Sequence, residues 1–284
     1  MAWFASVEAG AQRTYLPLAM DPRPILLVTQ YDGGAFSGWQ RQPAVRTVQG
    51  EMEAVLTRLC AGAIPAVGAG RTDAGVHAHG QGVGVRVPTR WTADSLRKAM
   101  NALLPEDIWI ATAHRMSPEF HPRRSATARR YRYLVGTDGA ARSPFRRRYE
   151  WPLGRALTAE ALHEEATALT GEHTFRAFAI AHTAPIDDHH RCIIQQAAWT
   201  ERDGGWVFEV TANRFLHHMV RFLVGTMVEV KETGGHFTEV VLRPWVTLQP
   251  GSDAASAAEL HARAHHLCFV ANSVNFPVRC EPRR

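Results

Sequence analysis

The chain has 284 residues, 45% of them hydrophobic, and a formal net charge of +5, values that suit one large or two modest globular domains with sizeable cores. Its four cysteines are widely spaced and form no CxxC pair, which argues against a zinc ribbon or a secreted disulfide framework and favours a reducing cytoplasm. No apolar run approaches membrane-spanning length, so no membrane association is expected. Residues 1–22 lack a continuous apolar core and are expected to be a disordered extension or the product of a misassigned start codon.

The first half of the chain alternates strand and helix patterns around a glycine-rich loop, residues 69–77. Residues 25–31 are a short apolar run that ends at an Asp-Gly-Gly turn, which predicts a buried opening strand. Five apolar residues recur at helical spacing and predict a helix that covers one face of the sheet. These residues are Val48, Met52, Val55, Leu56 and Leu59. Val83, Val85 and Val87 alternate as in a strand, so a helix and a strand are expected to bracket the loop.

A second helix and strand complete the predicted first domain. Thr92 is a good N-cap for a helix that carries apolar residues as far as Leu103 and stops at Pro105, and residues 109–113 predict the next strand. The proline-rich segment 117–122 is typical of a connector between domains. We therefore expect an N-terminal α/β domain over 23–118 and a C-terminal α/β domain over 119–284.

The same pattern begins again after the connector. The predicted elements are a strand over 131–135, a helix from Thr158 to Leu169, strands near 193–200 and 206–211, a helix from Phe215 to Val230, a helix over 256–266 and a strand over 267–270. Two halves of similar pattern predict an α+β architecture with a central, mostly antiparallel sheet and a cleft between the halves.

The loop 69–77 combines residue types that suit a catalytic site. Gly70 and Gly75 allow backbone conformations closed to other residues, so a short segment can hold the Asp73 carboxylate at a surface. Arg71 is a nearby cation that favours an ionised carboxylate, and its planar guanidinium also suits phosphate or a base. Glycine and aspartate also cluster in ordinary turns, so these residues alone leave a structural and a functional interpretation open.

Beyond the loop, several motifs stand in a shared order. The segment Gly70-Arg71-Thr72-Asp73-Ala74-Gly75-Val76-His77 resembles the signature of the TruA-type tRNA pseudouridine synthases. Other segments that resemble the same family are Tyr31-Asp32-Gly33, Gly38-Trp39-Gln40-Arg41-Gln42, Val48-Gln49, Asn101 with Leu104-Pro105, Phe120-His121, Ser125-Ala126, Arg130-Tyr131-Arg132-Tyr133, and Asn213 with Phe215, His217-His218-Met219-Val220-Arg221 and Gly225. The resemblance implies the pseudouridine synthase fold, with two similar α/β subdomains that share a central sheet and an active-site cleft between them.

The resemblance also implies a reaction. The enzyme would extrude a uridine at position 38, 39 or 40 of the tRNA anticodon stem-loop, break its N-glycosidic bond, turn the uracil and rejoin it through carbon 5. Because no atom enters or leaves, neither a cofactor nor a metal is expected. Asp73 matches the catalytic aspartate, and three roles stay open: attack on the sugar at carbon 1′, addition to uracil carbon 6, or removal of a sugar proton.

Three further residues match substrate-binding positions of the family. Tyr131 would stack on the extruded base, with its hydroxyl near carbon 5. Arg221 would pair with the catalytic aspartate and orient it. Arg71 would enter the stem and replace the contacts that the extruded base loses.

Clustered arginines predict a polyanionic partner, here tRNA, held through its phosphates. The candidate RNA-binding residues are Arg123, Arg124, Arg129, Arg130 and Arg132. The family further implies a homodimer. The sequence departs from the family pattern at Asp187–Arg191 and over 263–273, which puts dimer packing and tRNA contacts in question more than the reaction.

Other functional interpretations of the same residues are weaker. The neighbouring His217 and His218 lack the cysteine or carboxylate set of a typical zinc site. A catalytically silent RNA-binding module would use the Asp73 loop only as structure. A hydrolase would use Asp73 and His77 as an acid–base pair and would release a product.

Overall fold

The computed structural model describes residues 22–178, 190–229, 240–242 and 278–280. The chain divides into two compact units, Met1–Ala126 and Thr127–Arg284. The predicted extension up to residue 21, the predicted last helix and strand, and the divergent segments 187–189 and 263–273 lie outside the described residues.

The first unit is built on a four-stranded sheet in the order β2-β3-β1-β4, whose paired strands are all antiparallel. The strands are β1 (Arg23–Tyr31), β2 (Val67–Gly68), β3 (Ala78–Val87) and β4 (Ile108–Arg115). Two helices, α1 (Val48–Cys60) and α2 (Ala93–Asn101), contribute to one core with the strands. In α1 the side chains at four-residue spacing, Val48, Met52 and Leu56, are fully buried, as the apolar pattern predicts.

Both helices of the first unit begin at a capping threonine. Thr47 Oγ1 accepts a hydrogen bond from the amide of Gly50 at the start of α1. At α2, Thr92 and Ser95 form a reciprocal capping box, which confirms Thr92 as the N-cap. These bonds satisfy amides that the first helical turn leaves without partners.

The proline-rich connector packs within the first unit. Arg86 Nη2 donates a hydrogen bond of 2.6 Å to the carbonyl of Pro118. A β-carbon at Gly84 of β3 would lie 2.7 Å from Pro122 Cγ, so only glycine allows the proline to approach the strand this closely.

The second unit contains a five-stranded sheet in the order β6-β5-β9-β8-β7. Its strands are β5 (Arg129–Gly136), β6 (Trp151–Pro152), β7 (Gly171–Thr174), β8 (Arg191–Arg202) and β9 (Gly205–Ala212). Within this five-stranded sheet, the β5–β6 pair is parallel and the other pairs are antiparallel. Helices α3 (Ala159–Ala168) and α4 (Met219–Glu229) bury residues in the core of this unit, and β10 (Val240–Leu242) pairs in parallel with β11 (Val278–Cys280).

The predicted α+β class with mostly antiparallel strands is confirmed, and the main differences lie at element ends. The two-residue strand β2 stands between α1 and the Asp73 loop, so two strands bracket that loop rather than a helix and a strand. The fourth helix begins at Met219 and not at Phe215, because His218 has φ of 60°, a left-handed conformation that a right-handed helix cannot contain. His217 and His218 therefore precede the helix.

Candidate active site

The loop that joins β2 to β3 carries the predicted catalytic residue. Asp73 is half-buried, and its carbonyl accepts a hydrogen bond of 3.2 Å from the amide of Val76, which closes a turn. Gly75 has φ of 78°, so the turn uses the left-handed conformation that glycine adopts without strain. Gly70 is not left-handed, so the expectation of a special backbone conformation holds for Gly75 alone.

A second segment, residues 32–39, holds this loop by its backbone. The amide of Trp39 donates to the Thr72 carbonyl at 3.0 Å, and the amide of Gly75 donates to the Phe36 carbonyl at 3.3 Å. A β-carbon at Gly33 would lie 2.1 Å from the carbonyl oxygen of Val76. The two segments are therefore in direct backbone contact on both sides of Asp73.

Gly38 is a second point of close approach. It has φ of 92°, and a β-carbon there would lie 2.9 Å from the Thr72 carbonyl oxygen. Glycine is thus required at this position both by conformation and by space.

Side chains add further restraints on the loop. The Tyr31 hydroxyl and Thr72 Oγ1 are 2.7 Å apart and share a hydrogen bond. Gln81 Nε2 donates to the Gly70 carbonyl at 2.8 Å. The His77 Nδ1 atom lies 3.2 Å from the Gly33 amide, which donates to it, and 3.1 Å from Asp32 Oδ1. The His77 ring is thus engaged in positioning its own loop, which favours a structural role over that of an acid–base partner.

Arg46, which contacts Phe36 of the segment 32–39, forms an ion pair that the sequence motifs did not single out. Arg46 Nη1 and Nη2 donate to the two carboxylate oxygens of Asp107 at 2.6 and 2.9 Å, and Arg46 Nε contacts Glu51 at 2.8 Å. The hydrogen bond to Asp107 is the main cause that raises the pKa of Arg46 above its usual value. The guanidinium lies 4.2 Å from the centre of the Phe36 ring, so it also holds the residue whose carbonyl binds Gly75.

In the second unit, Tyr131 lies on β5 opposite Val210 of β9. Its ring is half-buried, packs against the core of this unit and meets the Phe215 ring edge-on, with the centroids 4.9 Å apart. Core packing and a stacking role are compatible, because one face of an aromatic ring packs while another stays accessible.

Arg221 is the third residue of α4 and is exposed. Burial raises the pKa of the Tyr133 phenol. Arg221 lies close enough to Tyr133 for its positive charge to oppose this rise. Tyr131 and Tyr133 are two residues apart on β5 and so point to the same face of the strand. The predicted arginine is therefore near the tyrosine-bearing face of β5.

The predicted RNA-binding arginines fall into two groups. Arg123 and Arg124 are exposed, like Arg71 on the Asp73 loop. The remaining three donate within the second unit: Arg129 Nη1 to the Asn213 carbonyl at 2.8 Å, Arg130 Nε to Thr211 Oγ1 at 3.3 Å, and Arg132 Nε to Glu209 Oε1 at 2.9 Å.

Comparison with known proteins decides the family. The family described as "tRNA pseudouridine synthase" matches residues 27–123 and 166–259 of this chain. The chain belongs to the tRNA pseudouridine synthase family. The resemblance read from the sequence motifs is thereby confirmed.

Individual members of this tRNA pseudouridine synthase family align with most of this chain. A relative from Moorella thermoacetica, named tRNA pseudouridine synthase A, is 40% identical over 210 residues, which cover 73% of this chain and 84% of the relative. Proteins of the same name from Methylobacterium nodulans and Geobacter sp. are 42% identical over 209 residues and 35% identical over 252 residues. These alignments cover 71% and 87% of this chain, and 79% and 97% of the relatives.

The matched ranges of the pseudouridine synthase family include some predicted site residues and not others. Asp73, Arg71 and Arg221 lie inside them, whereas Tyr131 lies in the unmatched stretch 124–165. Among the described residues, no helix is both long and apolar enough to cross a membrane.

Proposed function

We propose that this chain isomerises uridine to pseudouridine at positions 38, 39 and 40 of the tRNA anticodon stem-loop. Membership of the family establishes pseudouridylation of tRNA as the activity. The proposal adds the positions, and its support is the resemblance of the loop 70–77 and its companion motifs to the TruA-type enzymes.

Asp73 is the catalytic residue of this proposal. The observation that carries it is the restraint on the Asp73 loop, which is bonded to the segment 32–39 on both sides of the carboxylate. A positioned carboxylate is what the isomerisation requires, since a catalytic group held in the reacting geometry removes much of the entropic barrier. Arg71, exposed two residues earlier, is proposed to enter the stem from which the uridine is extruded.

Tyr131 and Arg221 complete the proposed substrate site. The Tyr131 ring is fixed by the edge-on contact with Phe215, so it can offer a base a rigid stacking surface. Arg221, near the same face of β5, supplies a positive charge for the aspartate or for the phosphate of the extruded nucleotide.

Site mapping on defined tRNAs tests the proposed positions. Four transcripts would be used, three with a single uridine at 38, 39 or 40 and one with no uridine at these positions. Each is incubated with the protein and a chelator, and pseudouridine is located by carbodiimide modification and primer extension. We expect modification of the first three transcripts only, unaffected by the chelator. Pseudouridine at another position of any transcript, with none at 38–40 of the first three, would sink the proposed specificity and leave the family activity standing.

We also propose that the protein is a cytoplasmic homodimer. The support is the family resemblance and the absence of a CxxC pair among four widely spaced cysteines. Light scattering coupled to size-exclusion chromatography should give twice the chain mass of 31.5 kDa. A single species at the chain mass across micromolar concentrations would refute the dimer.

A further inference from the structure

An exposed aromatic and basic surface lies in the second unit, and we call it the Phe145 surface: Phe145, Arg147, Arg148 and Tyr149. Phe145 is 87% exposed and Tyr149 is 51% exposed, values high for residues that usually bury their rings. The Arg148 guanidinium lies 5.7 Å from the centre of the Tyr149 ring. Large apolar side chains left exposed beside charges are typical of a binding surface.

The backbone presents this surface in a fixed form. The amide of Arg147 donates to the Ser143 carbonyl at 2.8 Å, and the amide of Tyr149 donates to the Arg146 carbonyl at 2.9 Å. The segment is therefore a run of hydrogen-bonded turns, and the exposure of Phe145 is part of that turn structure.

The charges beneath the Phe145 surface are already compensated. Arg146 contacts Asp138 Oδ2 at 2.8 Å and Glu150 Oε1 at 2.7 Å, and Arg202 contacts the other oxygen of Glu150. The Glu150 side chain is only 3% exposed, so its charge faces these two arginines rather than solvent. The segment 142–149 itself contains no acidic residue. Arg147 and Arg148 are both exposed, so two cationic side chains stand at this surface.

A pocket opens beside these side chains. It has a volume of about 390 Å³. Its lining consists of Phe145, Tyr149 and Leu134, the paired Arg146, Arg202 and Glu150, and the exposed Asp203 at its edge. Ligand pockets of proteins begin at about 300 Å³. Aromatic rings, a pocket and outward cations are together what an unpaired nucleotide needs, since the base stacks and the phosphates meet the arginines.

We propose that the Phe145 surface binds tRNA, with an unpaired base on Phe145 or Tyr149 and the adjoining phosphates on Arg147 and Arg148. The proposal rests on tRNA being the substrate, and it concerns residues outside the ranges that the family match covers. A second copy of the chain is the less suitable occupant, because a two-fold contact at this surface would bring like charges together.

Variants of the Phe145 surface test the proposal through the affinity for full-length tRNA. Phe145→Ala should weaken binding about 5-fold to about 150-fold, the effect of losing one stacked base. Phe145→Leu should weaken binding by a comparable factor, because a leucine keeps an apolar contact and has no ring on which a base can stack. Phe145→Trp keeps an aromatic ring and should bind like the wild type. Arg147→Glu with Arg148→Glu should weaken binding about 25-fold to about 60-fold at 0.1 M salt and reduce the salt slope by about 1.4 to 1.8.

Arg58→Glu with Lys98→Glu is the matched control, because it changes the net charge equally at two exposed positions of the first unit. This control should alter tRNA affinity less than about two-fold, since it removes no proposed contact. If Phe145→Ala and the Arg147→Glu with Arg148→Glu variant both bind tRNA like the control, or if they change the oligomeric mass and leave affinity unchanged, the proposal is overturned. Mapping of the pseudouridine that the wild-type protein forms scores the proposed positions separately. Modification at 38–40 with unaffected surface variants sinks the surface alone. Weakened binding by the surface variants with modification only at other positions supports the surface and sinks the proposed positions.

Discussion

The contact between Gly33 and the Asp73 loop gives a sharp test of how the proposed catalytic carboxylate is positioned. A β-carbon at Gly33 would lie 2.1 Å from the Val76 carbonyl oxygen, whereas ordinary van der Waals contact begins near 3.4 Å. Gly33→Ala therefore requires the oxygen to retreat by about 1.3 Å. The obstacle is backbone, so no side-chain rotation relieves it.

The expected cost has two parts. Forcing an extra carbon into a packed site destabilises a protein by about 1–3 kcal/mol. Displacing a catalytic group by about 1 Å costs about 100-fold in rate. Val76 is bonded through its amide to the Asp73 carbonyl, so its displacement reaches the carboxylate directly. We expect kcat/KM for Gly33→Ala to fall about 100-fold.

Tritium release from tRNA labelled at uridine carbon 5 measures the rate, and urea denaturation measures the stability. Gly62→Ala is the control, because among the described residues a β-carbon there meets no atom within 4 Å. It should have wild-type kcat/KM and nearly wild-type stability. If Gly33→Ala also released tritium at the wild-type rate, the segment 32–39 would not position Asp73 and the reasoning would be refuted.

Three further predictions concern the free energy of unfolding. Thr92→Ala removes the cap of α2 and should cost about 1 kcal/mol in urea denaturation, so an unchanged midpoint would contradict the capping box. Arg46→Ala removes the side chain that donates two hydrogen bonds to the Asp107 carboxylate and should cost about 1–3 kcal/mol of stability. Arg46→Lys should restore only part of this stability, and full restoration would show that charge alone matters. The hydrogen bond from Arg146 lowers the pKa of Asp138, so the pair stabilises the fold fully above the unfolded pKa of about 3.9 and progressively less as pH falls through the folded pKa. Asp138→Asn should therefore flatten the loss of stability below about pH 4, and an unaltered acid limb would contradict this linkage.

The regular elements of the fold were predictable because their patterns are strong. The apolar residues of α1 recur at four-residue intervals, and the threonine before α2 is a good cap, so both helices follow from local rules. β7 was not predicted, because Gly171–Thr174 is a short polar segment without alternation that becomes a strand only by pairing with β8.

The start of α4 shows where local patterns mislead. The apolar spacing continues back to Phe215, and it predicts a helix from that residue. The left-handed backbone of His218 delays the start of the helix to Met219, and Phe215 packs against Tyr131 instead. That choice depends on a tertiary contact between residues 84 positions apart, which sequence periodicity does not contain.

The residue types of the candidate site could be predicted from the sequence, and the contacts that hold the Asp73 loop in place could not. Residue types within one short loop singled out Asp73 and Arg71. Two backbone hydrogen bonds, from the Gly75 amide to the Phe36 carbonyl and from the Trp39 amide to the Thr72 carbonyl, join segments that lie far apart in sequence, and so does the ion pair between Arg46 and Asp107. Such contacts depend on strand register, which no single motif encodes.

Replacement of Asp73 tests whether its carboxylate is the catalytic group. Asp73→Asn keeps the size of the side chain and removes its capacity to act as nucleophile or base. Tritium release under single-turnover conditions and tRNA affinity would be measured for this variant and for the wild type. We expect release by the wild type, no detectable release by Asp73→Asn, and comparable binding of tRNA by both. Wild-type release from Asp73→Asn would show that another residue carries out the chemistry and that Asp73 is not the catalytic residue.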